Sequence, residues 1–257
     1  MVGGGAPMTD AILELRGLSK HFGGIPATDQ VDLRVRRGGV HAIIGPNGAG
    51  KTTLIAQLSG ALRSDSGQVL FDGRDVTRQS VARRARLGLA RSFQMTSVIQ
   101  PMTLLENVML AVQGVTGHSF RFWRPVRRDA GMVAAARQAL TRVGLAQRAD
   151  CVAAQVSHGE RRQLEVAMAL AMQPKLLLLD EPMAGMGKAE TRNMVEWLRS
   201  VVGPITILMV EHDMDAVFSL ADRISVLVAG RVIATDTAAA IRANRAVQRA
   251  YLGDRNA

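Results

Sequence analysis

Apolar and polar residues alternate along Ile12-Leu13-Glu14-Leu15 and again along Val31-Asp32-Leu33-Arg34-Val35, the pattern of antiparallel strands with one face buried and one in water. A third such piece, Gln68-Val69-Leu70-Phe71, ends at the turn Asp72-Gly73. Three other runs are apolar almost throughout: Val40-His41-Ala42-Ile43-Ile44, Leu176-Leu177-Leu178-Leu179 before Asp180, and Ile205-Thr206-Ile207-Leu208-Met209-Val210. They predict buried strands, and the helix around Met194 to Val202 separates the last two. Strands alternating with helices imply a parallel sheet that binds its ligands at the carboxyl edge. From about Pro101 to Met172 the pattern turns helical, with Ala- and Leu-rich stretches such as Met132-Val133-Ala134-Ala135-Ala136-Arg137-Gln138-Ala139-Leu140. The expectation is an α/β chain: a core with a mainly parallel sheet, an antiparallel β-subdomain beside it, and an inserted α-helical subdomain over about 100–172. A flexible stretch at 1–9, a single domain over 10–257 and a C-terminal helical tail at about 237–253 complete the organisation. No internal repeat is visible, so one unit is expected and not two.

The chemistry is concentrated where the first buried run ends. Gly45-Pro46-Asn47-Gly48-Ala49-Gly50-Lys51-Thr52 fills every fixed position of the phosphate-loop pattern G-x-x-x-x-G-K-[ST], which makes the core that of a phosphate-loop NTPase. Only glycines can wrap closely around phosphate oxygens, and Thr52-Thr53-Leu54-Ile55-Ala56-Gln57-Leu58 reads as a helix whose N-terminal amides would face those oxygens. Lys51 would add a point charge on the β- and γ-phosphates of a nucleoside triphosphate, and the Thr52 hydroxyl a ligand to Mg²⁺. The plain alternative is a glycine-rich turn whose lysine is merely solvated. A second signal is Asp180-Glu181-Pro182 at the end of a buried strand. There Asp180 can hold Mg²⁺, directly or through water, and Glu181 can orient and polarise the attacking water. A pair of solvated loop acids is the alternative.

Composition narrows the rest. The chain has 257 residues, 47% of them hydrophobic and 4% aromatic, enough for one large, aliphatic α/β core. One cysteine, Cys151, excludes an internal disulfide and makes a thiolate metal cluster implausible. No apolar run approaches the length of a membrane span, and the N-terminus has neither a charged n-region nor an apolar h-region, so a cytoplasmic or peripheral protein is expected. The formal charge of +10 raises nucleic acid or an anionic membrane surface. Its arginines are scattered, however, with concentrations at Arg83-Arg84-Ala85-Arg86 and from Arg121 to Arg128, and a solvated face explains such scatter equally well; no nucleic-acid partner is expected.

With these motifs in place the chain resembles the ATP-binding subunits of ABC transporters over nearly its whole length. Val156-Ser157-His158-Gly159-Glu160 stands where that family carries Leu-Ser-Gly-Gly-Gln, keeping Ser157 and Gly159. Ser157-x-x-Glu160 is also an ordinary helix capping box, and the two readings coexist, because a capped helix N-terminus could present Ser157 and the Gly159 amide to the γ-phosphate held by a second subunit. The resemblance implies further roles. Gln94 would sense Mg²⁺ and γ-phosphate, and His212 would contact the γ-phosphate and help hold the attacking water. Phe22 would stack on adenine, its alternative being a packed core ring. Where the family often has aspartate this chain has Gly187, which cannot make that side chain's contacts across a dimer.

Ala184-Gly185-Met186, Leu104-Leu105-Glu106-Asn107-Val108, Glu211-His212-Asp213-Met214 and Ala250-Tyr251-Leu252-Gly253 are similar to the ATPases of high-affinity branched-chain amino acid importers, while His158 is similar to relatives serving urea and short amides. What this implies is an ATPase at the cytoplasmic face of the inner membrane. Its partners would be a second ATPase subunit, identical or a paralogue, transmembrane permeases and, indirectly, a periplasmic or extracellular substrate-binding protein. The alternatives are an exporter ATPase of the lipopolysaccharide type and a soluble ABC ATPase acting on nucleic acid.

Overall fold

Every strand expected to be buried on both faces is so. The computed structural model describes residues 10–91, 98–116 and 129–252; the segments 1–9 and 253–257, and Gln94 with its neighbours, lie outside the described residues. In chain order the first elements are β1 (Ala11–Phe22), β2 (Ile25–Arg36), β3 (Val40–Ile44), α1 (Lys51–Ser59), β4 (Ser66–Phe71), β5 (Arg74–Asp75), α2 (Val81–Leu87) and β6 (Leu89–Arg91). Helices α3 (Leu104–Thr116), α4 (Ala130–Arg142) and α5 (His158–Ala171) follow, then β7 (Leu176–Asp180), α6 (Lys188–Val201), β8 (Thr206–Val210), α7 (Met214–Leu220), β9 (Arg223–Val228), β10 (Arg231–Asp236), α8 (Ala238–Ala243) and α9 (Arg245–Leu252). One sheet has the order β2-β1-β4-β5 and the other β10-β9-β3-β8-β7-β6. The first is antiparallel; the second is parallel except for its edge strand β10.

The parallel sheet divides the core by the two-residue strand period. Val40, Ala42, Ile44, Leu177, Leu179, Ile207 and Met209 join one apolar cluster with α3, α4, α5 and α6. Ile43, Leu176, Leu178, Leu208 and Val210 join the other, with α1 and the antiparallel layer. Covered on both sides, these strands have no polar face to alternate, hence their continuous apolar sequence. The antiparallel strands β1 and β2 run twelve residues each, well beyond the short alternating pieces visible in the sequence. Their register shifts between Leu15 and Leu18, where Gly17 takes φ +55, and such a bulge breaks the alternation that marks a strand.

The C-terminal end of α1 is held by a buried cation. Arg84, on α2, donates to the carbonyls of Gln57 and Leu58 at 2.7 and 2.6 Å, and to Thr77 and Gln79. It satisfies orphan carbonyls at the negative end of the helix dipole, which ties the helix after the phosphate loop to the hairpin connection behind it. Among the described residues no helix is long and apolar enough to cross a membrane.

His41 on β3 is a buried polar residue inside this core, its Nε2 2.8 Å from Ser225 Oγ on β9, which in turn lies 2.7 Å from Thr235 Oγ1 on β10. Burial, with the charge of Arg223 adding to it, lowers its pKa from 6.5 to about 4. As pH falls below 6.5 the unfolded chain takes up this proton first and the native state only near pH 4, so stability is lost across that window. The His41→Gln variant, which keeps a hydrogen-bonding group and does not titrate, is therefore expected to lose about 2 kcal/mol less than the parent between pH 7 and pH 5. Urea unfolding at the two pH values measures the difference. Buried Glu165, Asp180 and Glu211, whose pKa values are raised by burial, push stability the other way in both proteins; parallel pH profiles would rule out a neutral buried His41.

Candidate functional site

Three strand ends converge because of register. In β8, Val210 pairs with Ile43 of β3 on one side and with Asp180 of β7 on the other, so the loop after β3, the acids after β7 and the segment after β8 leave the sheet side by side. Backbone bonds extend the row by one residue: Glu181 N–H donates to Val210 O at 2.9 Å, and Glu211 N–H to Ile43 O at 3.4 Å. Gly45, Lys51, Asp180, Glu181 and His212 are thereby gathered at one carboxyl edge, where a parallel sheet binds its ligands.

The loop needs its glycines for two separate reasons. Gly50 caps α1 at φ 99, and a Cβ there would sit 1.9 Å from the Ala27 carbonyl oxygen. Gly45 has no room either: a Cβ would lie 2.1 Å from Leu227 O. Strands β2 and β9 thus press on the loop from both sides. Inside the turn, Lys51 is buried, and its ammonium donates to Gly45 O at 2.8 Å and Pro46 O at 3.0 Å. Burial lowers its pKa, against the opposing pull of Glu181 and Asp180. Thr52 is exposed in the first turn of α1, with Thr53 half-buried behind it; Asn47 and Gly48 are exposed and Ala49 buried.

Asp180 is fully buried, and Arg91 on β6 reaches its Oδ2 at 3.0 Å. Among the described residues its buried Oδ1 has no hydrogen-bond partner. Burial raises its pKa, and the Arg91 guanidinium pulls it down. This buried carboxylate oxygen and the exposed Thr52 hydroxyl in the first turn of α1 are donors of the oxygen type that Mg²⁺ takes. Glu181 follows in a left-handed conformation at φ 49, rare for a residue with a side chain. His212 Nδ1 stands 3.9 Å from Glu181 Oε1. Beneath them, Glu211 is buried and accepts from three backbone amides, Met183 at 2.7 Å, His212 at 3.0 Å and Asp213 at 3.4 Å. Its pKa is raised by burial, with those amides opposing. This carboxylate fastens the start of the histidine segment to the segment after Glu181.

Ser157 is the N-cap of α5: its Oγ accepts from Glu160 N–H at 3.1 Å while Glu160 Oε2 accepts from Ser157 N–H at 2.9 Å, the expected capping box. Arg148 pairs with Glu160 at 3.2 Å. Ser157 is exposed and Gly159 lies in the first turn, so this end of α5 is open to an incoming group. Gly187 caps α6, its N–H donating to Glu190 Oε2 at 3.0 Å. Phe22 ends β1 at the tip of a two-residue hairpin and is 53% exposed. The alternative of a packed core ring is thus corrected: hairpin position outweighs hydrophobicity there, and Lys20 Nζ lies 5.6 Å from the ring centroid. Gln94 lies outside the described residues. Arg91 is not named by the sequence reading, and Glu211 enters it only within the run Glu211-His212-Asp213-Met214, without a role; an arginine or a glutamate beside a strand end carries no mark of its task until the neighbouring strand is in place.

Comparison with known proteins bears directly on this edge. A family model described as ABC transporter matches residues 28–184, and one described as branched-chain amino acid ATP-binding cassette transporter matches residues 231–257. The chain is 37% identical over 254 residues to the high-affinity branched-chain amino acid transport ATP-binding protein LivG of Salmonella typhimurium, covering 96% of this chain and 100% of that one. It is 36% identical to the probable LivG of Archaeoglobus fulgidus, covering 94% and 95%. Among solved structures, the ADP conformation of an ATP-binding cassette of an ABC transporter is similar at a TM-score of 0.84 with 30% identity, covering 95% of this chain and 100% of that one.

The Lys51 ammonium bonds only to loop carbonyls among the described residues, and an Ala in its place would remove those charge-assisted bonds and any made to a bound phosphate. The Lys51→Ala variant is expected to lose about ten- to a hundredfold in ATP affinity, read by calorimetric titration of the purified protein. Unchanged affinity together with normal turnover would remove the loop from the nucleotide site.

Proposed function

This chain belongs to the ABC transporter family and is an ATP-binding ATPase subunit, and from that premise we propose that it drives import of branched-chain amino acids or related amino acids or amides. In this reading it acts at the cytoplasmic face of the inner membrane, as a dimer with itself or a paralogue, against transmembrane permeases fed by a substrate-binding protein. The likeness to LivG proteins along the whole chain supports the cargo class.

The observation that carries the proposed mechanism is the row through Ile43, Val210 and Asp180, which brings a phosphate loop, two acids and a histidine to one edge. The amides of Gly48, Gly50, Lys51, Thr52 and Thr53, with the Lys51 ammonium, would bind the triphosphate. Thr52 and Asp180, with Gln94, would hold Mg²⁺, which when bound neutralises charge on the phosphates. Glu181 would accept a hydrogen bond from the attacking water and polarise it, with His212 beside it holding that water and the γ-phosphate. Phe22 would give adenine a stacking face. Ser157 and Gly159 would complete the site of the opposite subunit from the positive end of α5.

The Glu181→Gln variant keeps shape and loses basicity, so ATP should still bind and turnover should fall by about a hundredfold or more, with a closed dimer visible by light scattering. In source cells lacking this chain, uptake of labelled leucine, isoleucine or valine at micromolar concentration should collapse and be restored by the parent sequence but not by Glu181→Gln. Intact leucine uptake with loss of urea or amide uptake would assign the other cargo class; a monomeric Glu181→Gln protein with parental turnover would refute the catalytic assignment.

A further inference from the structure

A buried arginine joins α5 to the backbone of the two acids. Arg162 lies one turn into α5 and is 7% exposed. Its Nη2 donates to the carbonyl of Asp180 and, at 3.1 Å, to that of Glu181, while Nη1 donates to Glu165 Oε2 at 2.6 Å. With His158, Arg161, Glu165 and Ala184 it lines a cavity of about 120 Å³ whose other wall is Glu181. The backbone it grips is the unusual one: Glu181 has φ 49, and its own amide is engaged by Val210. Local preferences disfavour that conformation, so tertiary bonds must hold it, and two of them end on its carbonyl, from Arg162 and from Ala184 N–H.

We propose that Arg162 is a positioning residue for Glu181: the planar guanidinium, aimed by Glu165, fixes the left-handed turn that directs the Glu181 carboxylate. The proposal rests on the reading of Glu181 as the group that polarises water. One fork serving two carbonyls and a carboxylate at once is a task for which a compact ammonium is a poor replacement. The same helix bears Ser157 and Gly159 at its capped end, and its first turn lies close against the segment after Glu181 and the start of α6. A Cβ on Gly185 would lie 3.2 Å from His158 Cε1, and one on Gly159 would lie 2.9 Å from Glu190 Oε1. A shift of α5 therefore reaches Glu181 directly, through Arg162.

The Arg162→Lys variant is expected to lower kcat for ATP hydrolysis by about tenfold or more while KM for ATP stays within about threefold, because the loss falls on aim and not on binding. Built into Glu181→Gln, the same substitution should reduce the residual turnover by less than about threefold, since the group it aims is already disabled. A full tenfold further loss in that background, or a matching rise in KM, would mark Arg162 as a packing residue and overturn the proposal. Parental turnover in Glu181→Gln alone would instead refute the role of Glu181. If Arg162→Lys gives no cooperative thermal melt, Glu165→Gln serves: it keeps the guanidinium and removes the charge that aims it. In that variant kcat should fall by about threefold at unchanged KM, and parental kcat would overturn the proposal.

Discussion

Everything at the carboxyl edge depends on the register of three parallel strands. Val210 pairs with Ile43 on one side and Asp180 on the other, and each strand delivers its functional residue within one or two positions of that row. A slip of one residue in β7 would turn Asp180 toward the opposite face and exchange every apolar side chain between the two cores. The register is strongly specified because both faces are buried: Leu177 and Leu179 belong to the helical side, Leu176 and Leu178 to the side of α1 and the antiparallel sheet. Packing on two faces is thus what fixes the distance between a phosphate loop and a pair of acids far away in sequence.

That dry environment has an electrostatic cost, and the site meets it with partners. Asp180 is paired with Arg91, Glu165 with Arg162, and Glu211 with three backbone amides. In each case burial raises the carboxyl pKa and the partner opposes it, so the pairings do not add stability so much as limit what burial takes away. Their return is geometric. Removing one partner would leave a buried charge uncompensated, so each carboxylate has essentially one place to be. Glu211 shows the use of this, since one buried carboxylate holds the segment bearing His212 against the segment following Glu181.

How far the sequence discloses this can be traced residue by residue. Strands β3, β7 and β8 were legible because burial on both faces leaves an uninterrupted apolar run, and the loop Gly45–Thr52 because close approach of backbone permits only glycine at its critical points. The capping box of Ser157 and Glu160 was legible because it is local. Strand β9 was not, since Arg223 and Ser225 interrupt its run; Ser225 is acceptable in the core only through His41 of β3 and Thr235 of β10, neighbours absent from any sequence window. The tasks of Arg91, Arg162 and Glu211 escaped for the same reason. A charged residue beside others looks solvated, as Arg161-Arg162 does, until the fold supplies the carbonyls and amides that bury it.

Gly187 is where these strands of argument meet. It has no side chain to carry contact across a dimer, and its amide is bonded instead to Glu190, the residue against which Gly159 of α5 packs. Around it the α5 cap, the segment from Met183 to Gly187 and the carbonyls of Asp180 and Glu181 are joined by His158 against Gly185, Glu190 between Gly159 and Gly187, and Arg162 below. These contacts lie within one chain, and the innermost of them, the buried Arg162 on the carbonyls of Asp180 and Glu181, is the one that packing holds against small deformation. If the end of α5 faces the nucleotide of a second subunit, as proposed, the loss of an aspartate at 187 need not uncouple the two sites. A displacement of α5 imposed by the neighbouring nucleotide would be carried to this chain's own acids through bonds already made, and coupling would be built into the helix instead of a side chain reaching across the interface.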